Sequence, residues 1–144
     1  MFVVPNHPLM KIFSYLFLFV FILACNLGKI DELKARTMVE SLINDLKNEN
    51  YSSLDKYYAS SFNESEPMKD KIAKFKRLKE ATGPIKSYEL ISSELNQNSD
   101  RGVNELQLKY KVVCDKLTVQ HNYLIINDEG DLKIIFQNIE NIKK

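Results

Sequence analysis

The chain has 144 residues, with 20 basic and 19 acidic side chains, four Gly and four Pro. That length suits one domain with a modest core, and the even charge argues against nucleic acid as the main partner, because phosphate binding needs a basic excess on one face. Scarce Gly and Pro, no low-complexity tract and no repeat at solenoid spacing exclude linker-rich and repeat architectures.

Residues Ile12 to Ala24 are nearly all apolar and carry no charge. The run is shorter than the ~20 residues of a comfortable membrane span and has the length of a signal-peptide apolar region, ~7–15 residues. It is apolar all round, whereas a surface helix shows one polar face. Lys11 is the sole charge before Cys25, so residues 25–144 carry 19 charges of each sign. Met10-Lys11 reads as the start of the leader, with Met1 to Leu9 as an upstream extension. The segment Ile22-Leu23-Ala24-Cys25 resembles the lipobox of bacterial lipoproteins. There a small residue, here Ala24, lets the peptidase close on the backbone, and the thiol that follows takes a diacylglyceryl group. Ile22 stands where the family prefers Leu, and Leu23 where it prefers a small residue. The resemblance implies a signal peptide over 1–24, cleavage between Ala24 and Cys25, lipidation at Cys25, a lipidated tether over 25–29 and one domain over 30–144. It implies a cell-envelope address facing the periplasm or the cell surface, held to the membrane through the lipid on Cys25. Asn26 is not the Asp that retains many lipoproteins at the inner membrane, which favours the outer membrane in a diderm. More than one acyl chain makes such an anchor stable, since a single chain binds only marginally. An ordinary cleaved signal and an uncleaved anchor are the alternative readings of the run.

Beyond the tether a helix is expected from Ile30 to Asn48–Asn50, with Ile30, Leu33, Met38, Leu42 and Leu46 on one stripe and Val39 and Ile43 widening it. Glu32, Lys34, Arg36, Glu40, Asp45 and Lys47 then face water. A second helix is expected over Tyr51–Phe62, capped by Ser52 or Ser53, with Leu54, Tyr57, Tyr58 and Phe62 inward. Asn63 to Glu66 reads as a polar break. Pro67 suits the first turn of a third helix, with Met68, Ile72, Phe75 and Leu78 inward and a Gly83-Pro84 stop. The period then changes to two. Ile85–Leu95 reads as a strand, Asn96–Gly102 as a loop, and Asn104–Asp115 as a strand with Leu106, Leu108, Tyr110, Val112 and Cys114 on one face. Leu117–Ile126 and Leu132–Ile139 form a hairpin around Asn127-Asp128-Glu129-Gly130-Asp131. Leu124-Ile125-Ile126 and Ile134-Ile135-Phe136 are apolar on both faces, which places them mid-sheet or under a helix.

Helices followed by an antiparallel meander give an α+β domain: N-terminal helices packed on a curved antiparallel four-stranded sheet. The amphipathic Ile30–Lys47, the Tyr51–Phe62 helix, the Met68–Gly83 helix with its Gly83-Pro84 stop and the Leu106–Ile139 meander resemble, in their order, the cone-shaped (cystatin-like) fold of the nuclear transport factor two-like superfamily. The likeness lies in element order, without a signature motif, and its members range from enzymes to binding domains, so it leaves function open.

The residues offer little chemistry. Cys114 has no intrachain partner once Cys25 is lipidated, and reads as a small buried hydrophobe. His121, the single histidine after residue 25, shares a strand face with Val119 and Tyr123 and reads as a structural residue; no His/Cys cluster has metal-ligand spacing, so no metal and no cofactor is expected. The cone resemblance implies an Asp or His in the mouth with a Tyr opposite, for which Asp115, His121, Tyr88 and Tyr110 are the candidates. Asp115 beside Lys116 reads as a solvated turn. Tyr57, Tyr58, Tyr110 and His121 are the candidate pocket residues, against the alternative that these aromatics are core between helix and sheet. The basic run Lys69-Asp70-Lys71, Lys74, Lys76-Arg77 and Lys79 reads as a solvated helix face. No phosphate loop or nucleophile elbow is present. Two functions follow: a lipid-anchored, non-enzymatic binding or interaction domain with an envelope or host protein partner, or a small-molecule or enzymatic pocket in the cone.

Overall fold

The computed structural model describes residues 29–98 and 102–142. The leader, the Ala24-Cys25 junction and most of the tether lie outside the described residues, as does the middle of the Asn96–Gly102 loop.

Helix α1 spans Glu32–Lys47. Asp31 caps it, its carboxylate accepting from the Lys34 N–H at 3.1 Å, which satisfies one of the free donors of the first turn. Its buried stripe is Ala35, Val39, Leu42, Ile43 and Leu46. Leu33 is not on that stripe and is 72% exposed. At 100° per residue it lies about 120° round the helix from Val39. Glu40 and Asp45, expected to face water, turn partly inward and meet tyrosines.

The expected single helix over Tyr51–Phe62 is two. A 3-10 helix spans Tyr51–Tyr57, and helix α2 spans Ser60–Ser65. Between them Tyr58 is extended (φ −102°, ψ 146°) and pairs parallel with Ile134 of the last strand. The Ala59 N–H donates to the Ile134 carbonyl at 3.0 Å. Satisfying an otherwise open sheet edge outweighs continuing the helix. Neither Ser52 nor Ser53 caps; the cap position is Asn50, without a side-chain bond, and the Ser53 hydroxyl donates to Asp45 at 2.8 Å. The polar stretch 63–66 is mostly inside α2, which ends at Ser65 with Glu66 as its cap.

Helix α3 spans Met68–Thr82, with Pro67 at its cap. It buries Lys71, Phe75 and Thr82, while Met68 and Ile72 are half-buried against the core. Gly83 ends it at φ +81°, ψ 178°. This is a nearly Gly-only region of backbone space.

Four antiparallel strands follow in the order β1-β2-β3-β4, at Ile85–Asn98, Val103–Cys114, Thr118–Asp128 and Asp131–Asn141. The result is the α+β arrangement of helices on a curved, open sheet. The alternation of β2 holds, with Leu106, Leu108, Tyr110, Val112 and Cys114 all buried. The β3–β4 turn has Glu129 at φ +53° and Gly130 at φ +103°, the two positive values of a tight hairpin turn. Residues 95–98 of β1 pair with 103–106 of β2, and β3 joins β2 only from Leu106 onward. This overhang leaves Leu95 and Val103 exposed.

The expectation of a mid-sheet or helix-covered position holds for Leu124–Ile126, which lie in β3 between β2 and β4, and fails for Phe136. β4 is an edge strand, and a bulge separates Leu124↔Phe136 from Ile125↔Ile134. Ile135 is the extra residue, so the facing order changes there. Ile134 points into the core, Phe136 is 51% exposed, and Gln137 pairs with Tyr123 on the inner face.

The α3–β1 junction is stitched to the β2–β3 turn. The Asp115 N–H donates to Pro84 O at 3.1 Å and the Lys116 N–H to Thr82 O at 2.8 Å. A Cβ on Gly83 would sit 2.7 Å from the Asp115 Cβ, whereas one on Gly130 would meet nothing within 4 Å. Both glycines have positive φ, so both resist substitution by ~1–3 kcal/mol. Gly83→Ala is expected to destabilise distinctly more than Gly130→Ala in urea unfolding; equal losses would mean the close approach carries no cost.

Candidate functional site

The concave face of the sheet carries a row of polar-tipped rings. From β1 to β3 these are Tyr88, Tyr110 and Tyr123, edge-to-face at 6.2 and 6.3 Å between centroids. Helix α1 meets their tips. The Tyr88 hydroxyl accepts from Asn44 Nδ2 at 3.0 Å, and the Tyr110 hydroxyl donates to Glu40 Oε1 at 3.3 Å. Burial and the Glu40 carboxylate push the Tyr110 phenol above its usual range. Burial does the same, more strongly, for Tyr123.

His121 lies one step along β3 from Tyr123 on the same face, with Nδ1 and the Tyr123 hydroxyl 2.9 Å apart. Its Nε2 is buried and has no protein partner. The hydroxyl donates to Nδ1, which puts the ring hydrogen on Nε2. The opposite tautomer would strand both the hydroxyl hydrogen and a bare ring nitrogen. Burial lowers the His121 pKa to about 4, so the ring is neutral at physiological pH. It lines a cavity of ≈ 30 Å³ with Phe75, Thr82, Gly83, Cys114, Lys47 and Lys79 among the other walls. That is room for a water molecule and too little for a substrate.

On the β4 side, Tyr58 donates to Gln137 Oε1 at 2.5 Å. Gln137 Nε2 is buried without a protein partner. Desolvation pushes the Tyr58 phenol far above its usual range. Lys71, assigned from sequence to a solvated face, is 3% exposed. Its ammonium donates to Phe62 O at 3.3 Å and Asn63 Oδ1 at 3.0 Å, and also to Glu66 O. It stands 4.4 Å from the Phe62 ring centre and 5.2 Å from that of Tyr58. Burial lowers its pKa against the opposing pull of Glu66 and Asp55. Position 71 falls on the inward face, three residues after Met68 and four before Phe75, so the spacing places it there and only its residue type argued for solvent; Asn63 Oδ1 and the carbonyls at the end of α2 supply the acceptors that hold its ammonium.

Tyr57 stands apart from this row. Its hydroxyl donates to Asp45 Oδ2 at 2.6 Å. Desolvation pushes Asp45 upward, but bonds from Tyr57, Ser53 and Asn50 and the charge of Lys56 prevail and lower its pKa. Tyr57 lines a surface groove of ≈ 760 Å³ along α1 with Leu33, Met38 and Lys56. Asp115 is off the concave face, exposed, 2.6 Å from Lys86 Nζ; bonding and charge from Lys86 hold its carboxyl below the usual range. Of the sequence-derived candidates, then, Tyr88, Tyr110 and His121 share the concave row, Tyr58 sits at its β4 end, and Tyr57 and Asp115 are elsewhere. Gln137, Tyr123 and Lys71 were not identified from sequence. Among the described residues no group of three His, Cys, Asp or Glu is placed to hold a metal ion, and no helix is long and apolar enough to cross a membrane.

No family model matches the chain, and no curated protein matches it.

His121 sets a pH dependence. Above pH 6.5 both folded and unfolded chains hold it neutral, and its contribution to stability is complete. As pH falls from 6.5 to about 4, the unfolded chain takes up a proton that the folded one refuses, and stability falls by on the order of 3 kcal/mol. His121→Asn keeps an acceptor for Tyr123 and does not titrate, so its urea-unfolding free energy should fall less over that window than the parent's. Parallel curves would exclude a buried neutral ring. Lys71→Met should cost ~1–3 kcal/mol by taking the donor from Asn63 Oδ1 and the Glu66 carbonyl, while Lys69→Met on the exposed face should be nearly neutral; equal losses would mean the buried ammonium ties nothing down.

Proposed function

We propose that the chain is a bacterial envelope lipoprotein, anchored through acyl chains on Cys25, whose α+β domain binds a ligand or an envelope or host protein and does no chemistry of its own. The observation that carries the anchor is the uncharged apolar run Ile12–Ala24 ending at Ala24-Cys25. The domain begins close behind it, since Ile30 is already buried in the core. Five residues of chain reach about 17 Å, so the domain would sit against the bilayer surface. Helices first and an open curved sheet second fit the cone-shaped fold of the nuclear transport factor two-like superfamily, in which binding domains are common.

The concave interior supports binding over catalysis. A general base needs reach to a substrate and a pKa near neutrality. Asp115 is ion-paired in solvent with its pKa lowered, and His121 faces a cavity of ≈ 30 Å³ with its pKa at about 4. Neither has both the room and the basicity.

Intact-mass analysis of the protein purified from a bacterial host tests the anchor. The expected product starts at Cys25 and carries added acyl mass, and Cys25→Ala should keep residues 10–24 and gain no lipid. A parent chain of unmodified mass that retains its leader would end the lipoprotein reading.

A further inference from the structure

His121 and Gln137 are diagonal neighbours on the concave face: Tyr123 pairs across with Gln137, and His121 pairs with Ile139. Each has a buried Nε2 without a protein partner. Each also has its other polar atom already engaged by a tyrosine, His121 by Tyr123 and Gln137 by Tyr58. Those engagements decide the character of the free atoms. Gln137 Oε1 accepts from a phenol, so Nε2 is the amide donor; His121 Nδ1 accepts from a phenol, so Nε2 carries the ring hydrogen. The concave face therefore presents two unused N–H donors and no unused acceptor at these two positions.

Both residues lie under the same helix. His121 lines the ≈ 30 Å³ cavity on one side of Phe75. Gln137 lines a cleft of ≈ 270 Å³ on the other, between α3 and β4. Phe75 and Leu78 of α3 wall both spaces. Phe62 and Ile139 supply further apolar surface to the cleft, and Lys71 and Lys74 supply positive charge. Glu66 is the acid at its rim, and it is engaged by Lys74. Helix α3 buries only Lys71, Phe75 and Thr82 of its 15 residues, and Phe75 is a wall common to the two spaces.

We propose that this cleft is a binding site for a small carboxylate with an apolar body, which enters beside Gln137 and displaces Phe75 outward, so that its carboxylate accepts from Gln137 Nε2 and from His121 Nε2 beyond it while its body lies against Phe62, Phe75 and Ile139. Every feature selects the same class. Buried unpaired donors favour an acceptor, the Lys71 ammonium in the wall of the same cleft as Gln137 favours an anion, and apolar walls around a few polar points are the usual make-up of a small-molecule site. The site deepens the binding half of the proposed function and is independent of acylation.

The test uses the full chain in detergent micelles, with benzoate as probe and benzyl alcohol as its neutral counterpart, read by two-dimensional NMR and calorimetry. Benzoate is expected to bind saturably, shifting the Gln137 side-chain amide, the His121 ring and Phe75, and to raise the His121 pKa by placing a negative charge beside it. Benzyl alcohol should bind about tenfold more weakly or worse, the loss of one charge-assisted hydrogen bond. Gln137→Met and His121→Asn should each weaken benzoate by a similar factor; the two residues are separate, so a folding failure in one leaves the other to decide. No saturable shift, equal affinity for the alcohol, or shifts confined to another part of the domain would overturn the site and leave the two nitrogens as hosts of ordered water. Benzoate binding by a chain without acyl mass would sink the anchor and keep the site, and an acylated chain blind to benzoate would do the reverse.

Discussion

The concave face of the sheet is too apolar to meet water, and α1 is what covers it. The inward side chains of β2, from Leu106 to Cys114, and the stripe Ala35 to Leu46 are buried in one core. Each fully buried Leu, Ile or Val contributes ~1.5–3 kcal/mol relative to exposure, so this pairing of one helix with one sheet face dominates the stability of the domain. The polar contacts then set its register. Asn44 meets Tyr88, Glu40 meets Tyr110 and Lys47 reaches the Lys86 carbonyl at 3.2 Å. All three are fixed distances along α1, and sliding the helix by one turn would break each of them and leave the part-buried Tyr110 hydroxyl without its acceptor.

That arrangement explains why the imidazole and the phenols of the interior stay uncharged near neutrality. Burial under α1 and α3 penalises charge, which lowers His121 and raises the tyrosines. A neutral imidazole and un-ionised phenols do not exchange protons readily near neutrality, but they make a fixed pattern of hydrogen-bond donors. The same desolvation that removes basicity thus preserves directional recognition. Lys71 is the exception that keeps its charge inside, and it does so because three carbonyl or amide oxygens surround it over two aromatic faces.

Where a local signal existed, the sequence was readable. The alternation of β2, the Asn127–Asp131 turn, the Gly83-Pro84 stop and the α1 stripe rest on periodicity or on residues with restricted backbone freedom, and each element stands within a few residues of its expected place. Leu33 is instructive, because a stripe read from the large apolar residues included it, whereas the 100° step excludes it in favour of Ala35. The interruption at Tyr58 had no such signal. Its cause is a hydrogen-bonding partner, Ile134, many residues away, and only the preference of paired aromatics for extended backbone hinted at it. The interior of the site was hidden for the same kind of reason. Gln137 faces inward only because the bulge at Ile135 reverses the phase of β4, and a period-2 reading carried from Ile134 through Phe136 puts it outside.

Bulge, bridge and buried lysine belong to one construction. The bulge turns Gln137 inward; the bridge brings Tyr58 across β4 so that its hydroxyl reaches Gln137. Because Tyr58 must be extended there, the chain restarts as the six-residue α2, too short to satisfy its own terminal carbonyls, and Lys71 enters from α3 to bind them. Each local departure from the expected pattern therefore follows from its neighbour, and together they surround the α3–β4 cleft. A core serving stability alone would not need a phase reversal that exchanges an apolar Phe136 for a polar Gln137 on its inner face, leaving the phenylalanine in solvent. The exchange costs apolar burial, and what it yields is a hydrogen-bond donor at the floor of a cleft.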